Sequence, residues 1–218
     1  YLLLIDGEAI EGAKQNRIIL NSVIIEQKSS VLVPVNCVEQ GRWQYKTSKF
    51  EKGSFSLSPK IRYKKTECLK KGNDSQHVVW QEIEDLSNKE NKNSITSNLG
   101  EILSKERSKT TEDFINKISL TKCNGFIIQG LENNFIEVFY NYKICHQQII
   151  KNLNGWIAEQ VNIDNANMEG NLVLNDFLFT EFDSFKNIGI EESFITCNKK
   201  NGKAILFNNS LIHSFCYF

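Results

Sequence analysis

Apolar positions divide the chain into zones of different period. Over residues 1–63 they come in short, β-branched runs. Arg17 to Glu26 is rich in Ile and Val, Gln27-Lys28-Ser29-Ser30 is turn-forming, and Val31 to Val38 returns. That pattern predicts a β-hairpin. Ile18 and Leu20 fall on one face of the first strand, and Ile19, Val23 and Ile25 on the other. Two apolar faces predict a sandwich or a sheet covered by helices. Pro34 in the return strand predicts an edge or a bulge.

Charge rises after residue 63 and the β-branched runs stop. Ser75 is placed to cap a helix with Val79, Ile83 and Leu86 on one face. Residues 87–98, rich in Asn, Lys and Ser, read as a loop. Leu99, Ile102 and Leu103 open another helical pattern, and Thr110 with Asp113 forms a capping box ahead of Phe114, Ile115 and Ile118. Residues 70–120 therefore read as a helical insertion. From 123 the period returns to two: Gly125 to Ile128 and Phe135 to Tyr140 flank a turn and predict a second hairpin. A helix follows, with Ile149, Ile150, Leu153, Trp156, Ile157 and Val161 on a broad face, and Leu172 to Phe185 reads as another. Glu192 to Cys197, a turn at Asn198 to Gly202 and strands through Ala204 to Phe218 close the chain. The expected fold is α+β: an antiparallel sheet or sandwich-like core, a helical insertion and a closing C-terminal hairpin. Residues 1–218 read as a single domain because β segments at both ends must share a sheet.

Composition narrows the function classes. The 26 Lys and Arg balance 26 Asp and Glu, so there is no basic field for general nucleic-acid binding. No run approaches the roughly 20 apolar residues that span a bilayer. Tyr1-Leu2-Leu3-Leu4-Ile5 is too short for a signal-peptide core and lacks a basic flank. It reads as a buried strand, and because Tyr1 is not Met, residues before it are expected to be missing. The six cysteines form no CxxC pair and no zinc-ligand spacing with histidine. Reduced thiols, a cytoplasmic location, no metal and no cofactor are expected. P-loop, GxGxxG, GxSxG and HExxH motifs are absent from the sequence.

Two polar runs carry the candidate chemistry. In the first, Gly7 to Arg17, Glu8 and Glu11 stand beside Gly7 and Gly12, ahead of Lys14, Gln15, Asn16 and Arg17. Lys14 and Arg17 are candidate donors to a phosphate or carboxylate, with Gln15 and Asn16 as orienting amides. The glycines would permit close backbone approach. In the second, Glu39, Gln40, Arg42 and Trp43 follow the return strand. Trp43 could stack on a ring or close the core, and Arg42 could pair with Glu39. The hairpin turns both runs toward one sheet end. The plain alternative is an internal ion-pair network. His213, among Leu211, Ile212 and Phe215, reads as a hydrogen-bonded structural residue. His146 beside Cys145 makes no catalytic dyad by sequence adjacency alone.

Asp6-Gly7-Glu8, Gly12 to Arg17 and Pro34 to Trp43 together resemble a prokaryotic domain named for its association with ADP-ribosylglycohydrolases and rhodanese/phosphatase-superfamily proteins. The resemblance is specific over these roughly 40 residues and looser through the helical middle to Ile212-His213-Ser214-Phe215. It departs at Ala9, where a second acid often follows Glu8. It implies an α+β fold and a link to ADP-ribose or phosphoester metabolism. The resulting expectation is a domain that binds or processes an ADP-ribose-like or other phosphorylated ligand. In it Lys14 and Arg17 would hold the anion, Glu8 or Glu39 would serve as acid/base or ribose-hydroxyl acceptor, and Trp43 would shape the wall. The alternative is a non-catalytic interaction or structural module.

Overall fold

A computed structural model describes residues 1–41, 45–89, 98–103, 123–129, 134–159, 181–185, 192–197, 200–208 and 210–217. Within them the chain is α+β, built on antiparallel sheets. Strands β2 (Glu8–Gly12), β3 (Arg17–Ile19), β5 (Val35–Cys37) and β6 (Phe50–Ser56) form one sheet in the order β5-β3-β2-β6. Strands β1 (Leu2–Leu4) and β4 (Val23–Ile25) pair separately. A third sheet runs β7-β8-β12-β11-β10-β9, from β7 (Gly125–Gln129), β8 (Asn134–Phe139), β9 (Glu181–Phe185), β10 (Glu192–Cys197), β11 (Lys200–Phe207) and β12 (Ser210–Tyr217). The helices are α1 (Pro59–Lys70), α2 (Gln76–Lys89), α3 (Leu99–Ile102) and α4 (Tyr142–Glu159).

The first predicted hairpin is present but interrupted. Arg17 pairs with Cys37 and Ile19 with Val35, while Val23 to Ile25 leave to pair with β1. Ile18 and Ile19 are both buried, as two-faced burial requires. Pro34 stands just before edge strand β5, where its missing N–H disrupts no ladder.

Helix α1 starts earlier than the predicted insertion. The Ser58 hydroxyl accepts from the Ile61 N–H and Pro59 occupies the first turn, a start that needs no apolar stripe. Its inward face is Ile61, Arg62, Lys65 and Thr66, which hides it from hydrophobic periodicity. Helix α2 follows Ser75 as expected and buries Val79, Ile83 and Leu86 with Ala9, Ile18, Val38, Phe55 and Leu57. The hairpin β7–β8 is antiparallel as read. Helix α4 buries Ile149 and Leu153 against Phe135, Phe215 and Tyr217, but Ile150 points outward at 40% exposure.

Two readings near the C-terminal end change. Glu181 to Phe185 is a strand paired with β10, not the end of a helix; a neighbouring strand supplies its ladder and overrides local propensity. Strand β11 begins at Lys200, so the expected turn is shorter. Residues 172–180, Val161 and the Thr110/Asp113 capping box lie outside the described residues. Among the described residues, no helix is long and apolar enough to cross a membrane.

Candidate functional site

The tripeptide Asp6-Gly7-Glu8 links two polar groups. Gly7 has φ +78°, and a Cβ there would stand 2.8–3.0 Å from Cδ, Cγ and Nε of Arg62. Glycine therefore lets the Arg62 side chain lie along the backbone, an approach made by the protein itself. Asp6 turns inward and Glu8 turns toward α4.

The inner group is removed from water. Asp6 Oδ2 accepts from Lys65 Nζ at 2.7 Å and Lys203 Nζ at 2.9 Å, and Asp6 Oδ1 meets Arg62 Nε at 3.4 Å. Arg62 also donates to Glu137 Oε1 at 2.9 Å and Asn152 Oδ1 at 3.2 Å. Cross-strand register sets this up: Glu137, Phe215 and Lys203 are aligned across β8, β12 and β11, and the Arg62 guanidinium lies 4.2 Å from the Phe215 ring centroid. Lys65 and Lys203 both donate to the Leu20 carbonyl, at 2.6 and 3.2 Å, and Lys203 also to Asn21.

Three cations, Arg62, Lys65 and Lys203, thus surround two carboxylates, Asp6 and Glu137. Burial disfavours every charge here. For Asp6, Lys203, Lys65 and Arg62 outweigh burial and hold the carboxyl well below its usual range. For Glu137, Arg62 and His213 outweigh burial and lower it as well. Arg62 is raised because Glu137 and Asp6 overcome its desolvation. Lys65 carries the strain of the cation excess. Burial, with Lys203 and Arg62 beside it, overcomes Asp6 and lowers it to about 7.

His213 is buried and hydrogen-bonded, as expected. Its Nδ1 lies 2.9 Å from Ser22 Oγ and its Nε2 2.8 Å from Glu137 Oε1. This has the connectivity of a nucleophile–base–acid chain. But Ser22 is fully buried and its Oγ already accepts the Asp6 N–H at 3.0 Å. Glu137 is meanwhile held by Arg62. The chain of contacts ties the residue before β4 to β12 and β8 and lies out of solvent.

The outer group is the candidate site. Glu8 is 5% exposed. Its Oε1 accepts from Lys151 Nζ at 2.6 Å and Gln148 Nε2 at 3.3 Å, and Lys52 Nζ stands 3.7 Å away. Burial lowers the pKa of Lys151 against the opposing pull of Glu8. Lys52 has a side chain 60% exposed and donates to Gln147 Oε1 at 3.3 Å. Gln148 is 1% exposed, and its Oε1 has no hydrogen-bond partner among the described residues. Such an orphaned acceptor costs about 1–3 kcal/mol. Strand register adds Arg17: Ile10 pairs with Arg17 on one side and Lys52 on the other, so those three share the sheet face of Glu8.

A bulge aims this face. Glu8 pairs with Ser56 but Ile10 with Lys52, leaving Gly53, Ser54 and Phe55 opposite Ala9. A Cβ at Gly53 would come within 2.6–2.8 Å of Ala9. Ala9 itself is fully buried in the apolar core. The place of a second acid is therefore a core position in this chain, and Glu8 and Glu11 of this strand both act on Lys151.

The remaining expected site residues separate from Glu8. Glu39 is buried and accepts from the Asn16 N–H at 3.1 Å and from Asn98 Nδ2 at 3.0 Å. Gln15 Nε2 donates to the Glu39 carbonyl at 2.9 Å, and Asn16 Oδ1 accepts the Gly12 N–H at 3.1 Å. The two polar runs do meet, and there Gln15, Asn16 and Glu39 fasten the β3–β5 end to α3. Lys14, half-buried, lies 5.2 Å from the Tyr45 ring centroid. It sits past Gly12, about 13 Å or more of strand from Glu8. Gln40 is exposed. Arg42 and Trp43 lie outside the described residues.

Sequence reasoning missed Lys52, Gln148 and Lys151 at the rim, and Arg62, Lys65, Glu137 and Lys203 inside. One signal was available: Glu137 interrupts Phe135-Ile136-Glu137-Val138-Phe139, and Lys203 precedes Ala204-Ile205-Leu206. A charge inside a buried apolar strand has to find a partner. Among the described residues, no group of three or more His, Cys, Asp or Glu is placed to hold a metal ion.

The sequence profile of the ARG and Rhodanese-Phosphatase-superfamily-associated Protein domain matches residues 1–217. No curated protein and no solved structure gives a match.

Proposed function

The chain belongs to the ARG and Rhodanese-Phosphatase-superfamily-associated Protein domain family, and we propose that it binds a small phosphorylated ligand of the ADP-ribose class on the outer face of β2 and β6, beneath α4. One observation carries the reading: among the described residues the buried Gln148 Oε1 has no donor, and it lies beside Glu8 and Lys151. A ribose hydroxyl that displaces the side chains covering Gln148 would supply that donor and leave Glu8 as acceptor for a second hydroxyl. Lys151, Lys52 and Arg17 would meet the phosphates, and Arg17 offers the forked geometry that suits them. This keeps Glu8 and Arg17 from the sequence expectation and replaces Lys14 with Lys52 and Lys151. Glu39 has a fastening role in this reading. Family membership adds the association with ADP-ribose chemistry as context, not as mechanism.

A second reading, a non-catalytic interaction or structural module, is favoured by the inward wiring of Glu39, Gln15 and Asn16. A thermal-shift panel of ADP-ribose, ADP, ribose 5-phosphate and inorganic phosphate separates the two. A ligand at about 100 times its Kd should stabilise the fold by about 2.7 kcal/mol. Lys52→Ala, at an exposed position, should keep the free-protein Tm and shrink that shift. If none of the four compounds moves the Tm, the ligand reading fails and the module reading stands.

A further inference from the structure

The sheet face that carries Glu8 continues past Lys52 to an aromatic ring. Phe50 stands two residues before Lys52 on β6, so its side chain leaves the same face. It pairs with Gly12, which has no side chain to lie against the ring from β2, and it is 44% exposed. Register therefore orders three kinds of group along one line. Glu8 comes first, with Gln148 of α4 beside it, and both hold hydroxyl-accepting oxygens. Ile10 follows, with Arg17 on one side and Lys52 on the other. Gly12 and Phe50 come last. Exposure grows in the same direction, from buried Glu8 through half-buried Ile10 to Phe50. At about 3.3 Å per residue, the four steps from Glu8 to Gly12 cover about 13 Å. A diphosphate with a sugar at each end can span that length.

We propose that Phe50 is a stacking platform for a nucleobase, so that the site takes a nucleoside diphosphate joined to ribose and not a bare sugar phosphate. The inference rests on the phosphorylated-ligand reading and gives that site its selectivity. The parts of such a ligand follow the order of the groups. The terminal ribose meets Glu8 and Gln148, the diphosphate lies between Arg17 and Lys52, and the base covers the ring at the open end. Cations set between hydroxyl acceptors and an aromatic ring stand where a diphosphate needs its charge met. A π-face accepts any base, so the ring selects for the presence of a base and not for its identity. Tyr45 is also exposed at this end, carried past Gly12 by the Lys46 N–H bond to the Ala13 carbonyl at 2.9 Å. Its ring already faces the Lys14 ammonium at 5.2 Å, which makes it the comparison residue.

The test titrates ADP-ribose and ribose 5-phosphate calorimetrically into wild type, Phe50→Leu, Phe50→Tyr and Tyr45→Ala. Stacking of one base on one ring raises affinity by about 5- to 150-fold. Wild type should bind ADP-ribose at least about tenfold tighter than ribose 5-phosphate. Phe50→Leu stays apolar at a partly exposed position. It should lose most of that preference while binding ribose 5-phosphate as wild type does. Phe50→Tyr keeps a ring and should keep the preference, and Tyr45→Ala should change neither affinity. Wild-type affinity for ADP-ribose in Phe50→Leu, or equal weakening of both compounds, overturns the platform and leaves the phosphorylated-ligand reading in place. No binding of either compound by wild type overturns both.

Discussion

Asp6→Asn is the sharpest perturbation of the inner group, because it removes a charge and leaves the volume unchanged. Asp6 is fully buried with Lys65, Lys203 and Arg62 at 2.7, 2.9 and 3.4 Å. Wild type sets three cations against two carboxylates; the variant sets three against one. At an effective dielectric of 20, a charge pair at 4 Å is worth about 4 kcal/mol of attraction. Most of that offsets the desolvation already incurred, and breaking a buried pair by removing one partner destabilises by about 3–5 kcal/mol net. The new amide also aims donors at donors. With a urea m-value of about 2 kcal/mol/M, the midpoint should fall by about 1.5–2.5 M at neutral pH. Lys65→Met is the control, since it removes the excess cation and should lose less than Asp6→Asn. Acid should narrow the gap. The Asp6 carboxyl is held well below its ordinary 3.8, so its contribution is full above that pH and is lost as pH falls toward its folded value. A loss under about 1 kcal/mol for Asp6→Asn, or a larger loss for Lys65→Met, would show that the group is not the interdependent buried network described.

Alkaline pH should act oppositely through Lys65, lowered from 10.5 to about 7 in the fold. Between those values the unfolded chain binds the extra proton, so stability should rise with pH across that window; a urea-midpoint series showing a fall would contradict the assignment. Gly53→Ala would drive a Cβ to 2.6–2.8 Å from Ala9 and should lose about 1–3 kcal/mol by overpacking, read by thermal or urea unfolding. Glu39→Gln keeps the shape but weakens acceptance from the Asn16 N–H and Asn98. It should lose about 1–3 kcal/mol without changing ligand response; an unchanged midpoint would move Glu39 out of its fastening role.

Sequence pattern reached those elements whose burial is apolar and local. Helix α2 advertises Val79, Ile83 and Leu86 behind Ser75, and β7–β8 alternates around a short turn. Helix α1 escaped because Arg62, Lys65 and Thr66 fill its buried face, so its hydrophobic period is broken where its packing is tightest. The meeting of the two polar runs was legible because one hairpin joins them. The inner group was not, because Asp6 and Lys203 are brought together only by the sheet topology. The rim was half legible. Glu8 and Arg17 lie in the first polar run, while Lys52, Gln148 and Lys151 come from β6 and α4, whose placement over β2 no local spacing encodes.

Calorimetric titration of ADP-ribose into wild type and Gln148→Met tests the central claim most directly. The substitution preserves length and removes both the orphaned Oε1 and the Nε2 contact to Glu8. Deleting the unpaired buried acceptor offsets the loss of the Nε2 contact to Glu8, so the free protein should stay within about 1 kcal/mol of wild type. Binding should weaken by at least about tenfold, the loss of one hydrogen bond worth about 1.4 kcal/mol. Wild-type binding with a weakened but fully folded variant is the predicted result. Equal affinity in the two proteins, or no binding by wild type, would contradict the account.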